Sequence, residues 1–177
     1  KGAYMKAIKY GLLITGLFFL SACTSPPEGI TPVKNFDIQK YKGKWFEIAR
    51  LNHSFEEGME QVTATYSIND DGTVKVLNKG YLTDDKKWDD AEGLAKFVEG
   101  TDTGHFKVSF FGPFYGAYVI FELDQPDYQY AFITSYNKDY LWFLSRTPTV
   151  SKELKEHFLT KAKELGFATD EIIWVEQ

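Results

Sequence analysis

The chain has 177 residues, a formal net charge of −5 and a single cysteine. The acidic balance argues against nucleic acid or an anionic membrane face as partner, because both call for basic patches, and one thiol cannot close an internal disulfide, so the fold must rest on its core. Aromatic residues make up 17% of the chain, above ordinary usage, and that many rings need a place to pack.

In chain order, Lys6 and Lys9 flank the start of an apolar run, Gly11–Leu20, which is far short of the roughly twenty residues of a spanning helix. Positive charge followed by such a run reads as an export leader starting at Met5. The run closes on Leu20-Ser21-Ala22-Cys23, which is similar to the lipobox of bacterial lipoproteins. That resemblance implies cleavage before Cys23, with residues 1–22 as signal peptide, and acylation of Cys23 as a membrane anchor. Thr24, in place of the Asp of the alternative sorting pattern, implies the outer membrane and its periplasmic face. Three lysines leave with the leader and no acid does, so the remainder is more acidic still, and residues 23–177 have the size of one domain. Residues 23–34 include three prolines and Gly29, a composition that reads as an extended tether.

From Trp45 the chain runs in short alternating segments separated by turn chemistry at intervals of about 8–12 residues, the pattern of an antiparallel barrel or sandwich. Eight segments are expected: Trp45–Leu51, Val62–Ile68, Thr73–Tyr81, Glu92–Val98, His105–Phe111, Ala117–Leu123, Tyr130–Ser135 and Tyr140–Arg146. Asn69-Asp70-Asp71-Gly72 is a strong hairpin signal between the second and third. The period then changes. Leu154, Phe158, Leu159, Ala162 and Leu165 fall on one helical face, with Ser151 as N-cap and Gly166 as the stop. Ile172–Val175 can add a last strand or pack beside this helix. The fold class is all-β: an eight-stranded up-and-down antiparallel β-barrel with one C-terminal amphipathic α-helix, since closure removes the edges that an open sheet leaves exposed.

Lysines fix the outer face of several strands, which turns their neighbours inward. Lys75 and Lys79 outside put Val74, Val76 and Asn78 inside; Lys96 does so for Ala95 and Phe97; Lys107 does so for Phe106, Val108 and Phe110. Val62, Ala64 and Tyr66 alternate with Thr63, Thr65 and Ser67. Trp45, Glu47 and Ala49 share the inward phase of the first strand, and a buried Glu47 needs a partner. Small residues mixed with large rings fit a lined cavity better than a filled core.

Three motifs carry a family resemblance. Gly43-Lys44-Trp45, preceded by Asn35-Phe36-Asp37, is similar to a G-x-W motif at the start of a first strand; Asp124–Tyr128 resembles the turn between sixth and seventh strands, with Leu123 and an extra residue, Pro126, departing from the pattern; Arg146-Thr147-Pro148 ends the eighth. With the lipobox, strand count and trailing helix, the chain resembles the lipocalins, in particular the bacterial outer-membrane lipocalins, over about residues 35–177. The up-and-down order brings Gly43, Trp45, Asp124, Tyr128 and Arg146 to a closed end, where the Arg146 guanidinium can cover the Trp45 indole; these residues are structural. The resemblance implies a cup for a fatty acid or (lyso)phospholipid, lined by Ala49, Ala64, Tyr66, Val76, Asn78, Ala95, Phe97, Val108, Phe110, Tyr118 and Trp142. It further implies storage or transport of lipid during envelope stress, and it allows a homodimer, since some members associate.

The same topology sends Asn52–Gln61, Leu82–Ala91, Gly112–Gly116 and Tyr136–Asp139 to the open end. There Phe114 and Tyr115, with Phe55 and Met59, serve either as a portal or contact with lipid or a second subunit, or as a lid folded over the rim. Nucleophile elbows, phosphate loops, dinucleotide glycines and zinc spacings are absent from the sequence, so neither a catalytic residue, a metal nor a cofactor is expected. His53, His105 and His157 are expected at the surface. Two other classes stay open: a membrane-tethered scaffold with a filled barrel, and a lipid-processing enzyme.

Overall fold

A computed structural model describes residues 23–177; the signal peptide read at residues 1–22 lies outside the described residues. One short helix, α1 (Ile38–Tyr41), is capped by Asp37, whose carboxylate accepts from Gln39 N. Eight strands follow: β1 (Gly43–Arg50), β2 (Met59–Ile68), β3 (Val74–Leu82), β4 (Lys87–Phe97), β5 (His105–Phe111), β6 (Phe114–Leu123), β7 (Tyr130–Thr134) and β8 (Leu141–Ser145). Each pairs antiparallel with the next, and β1 pairs with both β8 and β2, which closes the barrel. Closure is partial on one seam. β2 leaves β1 after Phe46↔Thr63, and the short β9 (Ile173–Trp174) takes its place beside Ala49 and Arg50. The C-terminal Gln177 side chain then donates to the carbonyls of Glu47 and Val62, tying the two strands across the gap.

The helix α2 (Lys152–Glu164) starts where the sequence places its cap, with Ser151 Oγ accepting from Leu154 N at 3.1 Å. Gly166 adopts φ +83°, a left-handed conformation that suits glycine at a helix end. Phe158 and Ala162 are fully buried against Phe132, Phe143 and Leu141 on the outer wall. The molecule therefore has two apolar cores, one inside the barrel and one between its outer wall and the helix.

Strand limits differ from the alternation at the open end. β4 begins at Lys87 and β6 at Phe114, so Lys87–Ala91 and Phe114–Gly116 are strand where loop was expected. Backbone pairing alone sustains these ends: β4 pairs with β3 as far as Leu82↔Lys87 while its residues Lys87–Glu92 stay exposed on both faces, so no hydrophobic period marks them. On its other side β4 pairs with β5 only from Leu94↔Ser109 to Phe97↔Phe106. The wall parts above that point, and the free edge carries Asp89 and Asp90, charges of the kind that discourage edge pairing.

Residues 23–34, read as a stand-off tether, lie along the barrel. Ile30 is buried in the outer core, Val33 exchanges backbone bonds with Ile120 and Gly104, and Ala117 N donates to Cys23 O at 2.8 Å. Proline favours an extended chain but does not decide what that chain lies against, and here the outer surface of β5 and β6 supplies both apolar contact and backbone partners.

Candidate functional site: an open cup with a sealed floor

The floor is built on Arg146. Its guanidinium carbon sits 3.9 Å from the centre of the Trp45 ring, and its nitrogens donate to the carbonyls of Lys40, Tyr41, Lys42, Lys44 and Tyr128. Three of those carbonyls end α1, where unpaired carbonyls carry partial negative charge. Gly43 takes φ +98°, and a Cβ there would meet Arg146 Nη1 at 3.4 Å, so the first motif glycine serves both the turn and the close approach. Asp124 and Tyr128 belong to the same end: Asp124 accepts from Gln129 N, and the Tyr128 hydroxyl accepts from Asp37 N.

Just above the floor, three phenols meet. Tyr118 Oη lies 2.6 Å from Tyr41 Oη and 2.7 Å from Tyr66 Oη. Burial raises the pKa of all three above the ordinary tyrosine value, so each hydroxyl keeps its proton. Two bonds use two of the three protons, which leaves one donor available to a further acceptor. Ile38, Val74, Ala95, Phe106 and Val108 enclose the trio around a cavity of about 10 Å³, room for a single water.

Higher up, the inner face opens. Ala64, Tyr66, Val76 and Ala95 are buried, whereas Asn78, Phe97, Val108, Phe110, Tyr118 and Trp142 on the same face are only half-buried. Inward side chains that solvent still reaches line a space instead of filling it. Gly93 contributes by what it lacks: a Cβ there would meet the Phe110 ring at 2.8 Å. On the outer wall where β4 and β5 part, a groove of about 390 Å³ runs past Asn69, Lys75, Glu92, Gly93, Phe110 and Tyr115.

Near the mouth the interior becomes polar. Arg50 Nη1 donates to Glu47 at 2.9 Å and Nη2 to the carbonyls of Glu56 and Met59. His53 Nε2 lies 2.7 Å from Glu56 Oε2, and Trp142 Nε1 donates to the same carboxylate oxygen at 3.0 Å. Burial, reinforced by the nearby Glu56, raises the Glu47 pKa well above the carboxylate range despite Arg50. Burial works against Glu56 ionising too, yet His53, Trp142 and Arg50 together outweigh it and hold its pKa below the usual value. The β1–β2 loop is thus drawn over part of the mouth by buried charge, with His53 packed 4.0 Å from the Phe55 ring and Phe55 stacked on Tyr140.

Several expectations are corrected. Ala49 does not face the cup: β1 bulges between Glu47↔Leu144 and Ala49↔Phe143, which flips the alternation, so Ala49 is buried beneath α2 and Arg50 turns inward in its stead. Tyr115 leaves the mouth for the outer wall, between Lys96 and Lys107 at 5.7 and 5.3 Å. Met59 folds against Gly80, while Phe55 and Phe114 remain exposed. Two histidines expected at the surface have shielded rings: the His53 side chain is 5% exposed beside Glu56, and His105 is buried between Thr24 O and Glu99. The cluster of Arg50, His53 and Glu56 was missed because its members come from one bulged strand and one irregular loop, where no period applies; the signal available was Glu47's need for a cation.

A closed eight-stranded antiparallel barrel with a G-x-W floor, a covering arginine and one packed helix defines the lipocalin class of binding proteins, whose members hold small hydrophobic ligands. The chain belongs to that family: residues 36–177 match the profile of the lipocalin-like domain. It is 50% identical over 173 residues to outer membrane lipoprotein Blc of Vibrio cholerae, covering 98% of this chain and 99% of that one. It is 49% identical to the Blc of Escherichia coli K12 over 165 residues, with 92% and 93% covered, and 35% identical to rat apolipoprotein D over 142 residues, with 77% and 72% covered. Among solved structures, insecticyanin from the tobacco hornworm superposes with a TM-score of 0.69 at 21% identity, covering 86% of this chain and 88% of that one. The kinship with the Blc proteins gives the location as the outer membrane, lipid-anchored.

Proposed function

We propose that the cup receives the hydrocarbon tail of a fatty acid or (lyso)phospholipid, and that acylation of Cys23 holds this carrier at the periplasmic face of the outer membrane. The carrier stores or moves lipid for envelope maintenance and makes no covalent change to it. The observation that supports this most is the half-open inner face of Phe97, Val108, Phe110, Tyr118 and Trp142, rings and branched chains aimed into a space they do not fill. Transfer of a sixteen-carbon chain from water to such a lining is worth on the order of 10 kcal/mol before ordering costs, enough for micromolar binding. The free phenol proton of the tyrosine trio and the buried Arg50 set give a polar atom of the ligand two places to bond.

The competing scaffold reading draws on the floor, where only about 10 Å³ remains. Solvent extraction of the purified full-length protein followed by mass spectrometry separates the readings. Co-purified acyl lipid is expected, and displacement by a fluorescent fatty acid should be lost in Asn78→Trp, which places an indole at mid-cup between Ala64 and Ala91. A wild-type barrel that carries no lipid and refuses the probe would overturn carriage, and chemically altered lipid would point to an enzyme.

A further inference from the structure

We propose that the protein stands with its mouth against the bilayer that anchors it, the β5–β6 hairpin dipping among the lipid chains beside the acylated cysteine. The inference rests on the anchor reading of Cys23 and goes beyond it by fixing which end of the barrel meets the membrane. Phe111 and Phe114 flank the hairpin tip and are each 79% exposed. Two large rings presented together to water are costly, and rings in that position mark a contact surface.

The occupant follows from the place of Cys23, read as acylated. Cys23 is fastened to the strand that carries Phe114: Ala117 N donates to Cys23 O at 2.8 Å, three residues along β6 and so about 10 Å from the tip. The segment behind it is held too, since His105 Nε2 lies 2.7 Å from Thr24 O and Ile30 is buried. Acyl groups attached at Cys23 must enter the bilayer from that point, so the membrane surface passes next to the hairpin and far from the Arg146 floor.

The chain as a whole is acidic, so charge does not draw it to a membrane, but the local charge at this edge does not repel one. Lys96 and Lys107 bracket Tyr115 on the outer wall below the hairpin, and in the β7–β8 turn Lys138 offsets Asp139. Lysine and tyrosine of this kind suit the headgroup layer, where stems and rings lie in apolar surroundings and polar tips meet lipid phosphates. The neighbouring β3–β4 hairpin carries Asp84, Asp85, Asp89 and Asp90 against Lys86 and Lys87, a net negative charge that keeps it out of the lipid. In this pose the groove between β4 and β5, which runs from Lys75 and Glu92 past Phe110 to Gly112, opens beside the hairpin.

The test uses the full-length acylated protein in vesicles of phosphatidylethanolamine and phosphatidylglycerol. With p-benzoylphenylalanine replacing Phe114, photolysis should give lipid adducts on the order of tenfold above those obtained when it replaces Asp127 in the closed-end turn. Phe111→Ser combined with Phe114→Ser should slow uptake of labelled lipid from the vesicles by about tenfold or more, with binding of a fluorescent fatty acid added from solution unchanged. Equal adducts at both positions, protein–protein adducts dominating at 114, or a chain that carries no acyl group would each overturn the orientation. If the wild type binds no lipid from either source, carriage fails while the adduct ratio still reads the orientation.

Discussion

Two arginines, Arg146 half-buried at the floor and Arg50 fully buried near the mouth, solve the same problem differently. Arg146 at the floor is met by five carbonyls and the face of Trp45. None of those partners titrates, so the seal is indifferent to pH. Arg50, five residues further along β1 than Trp45, is met by Glu47 and two carbonyls, its Nε lacks a hydrogen-bond partner, and Glu56 and His53 complete the cluster. Here the compensating charge can change. The floor is built to be permanent; the mouth is held by groups whose protonation pulls in opposite directions. Glu47, raised, favours the fold while protonated and loses that contribution as pH rises through its folded value. Glu56, lowered, contributes above the ordinary carboxylate value, and that contribution is lost as pH falls through its folded value.

The largest expected effect comes from Arg50→Met, which leaves Glu47 buried beside Glu56 without its cation. A loss of up to about 3–5 kcal/mol is expected at the alkaline end of the protein's stable range, where Glu47 is ionised, and a smaller one at a lower pH where it holds its proton. Urea unfolding at the two pH values checks it, and a loss independent of pH would erase the contrast between the ends. Arg146→Ala should cost about 2–3 kcal/mol, because several carbonyls lose their donor and water repairs only the outer ones, and this cost should be the same at both pH values. Arg146→Lys should recover little, since an ammonium cannot present the same planar fork. Tyr118→Phe removes the oxygen shared by Tyr41 and Tyr66 and should cost about 1–2 kcal/mol, read as a shift in the urea midpoint. Phe114→Ser at the exposed hairpin should leave stability within about 0.5 kcal/mol, so any defect it shows against vesicles reports contact and not folding.

Much of the barrel was legible because its physics is local and periodic. Lysines at 75, 79, 96 and 107 mark the outer face, and their neighbours Val74, Val76, Ala95 and Phe106 are buried inside. The helix declared itself by its cap at Ser151 and its glycine stop, and the floor by Gly43, Trp45 and Arg146, whose meeting needs only strand order. Alternation failed where a bulge inserted one residue: beyond Ile48 every side chain changes face, which sent Ala49 to the helix and Arg50 to the cup.

The sequence by itself determined the class of fold, the number of strands and the identity of the floor, since periodicity, capping and topology are properties of neighbouring residues. Only the tertiary structure decided which titratable groups meet near the mouth, that residues 23–34 lie along the wall, and that β4 and β5 part above Leu94. Those outcomes depend on contacts between irregular segments far apart in the chain, where surface shape and unpaired backbone groups, and no repeating pattern, choose the partner.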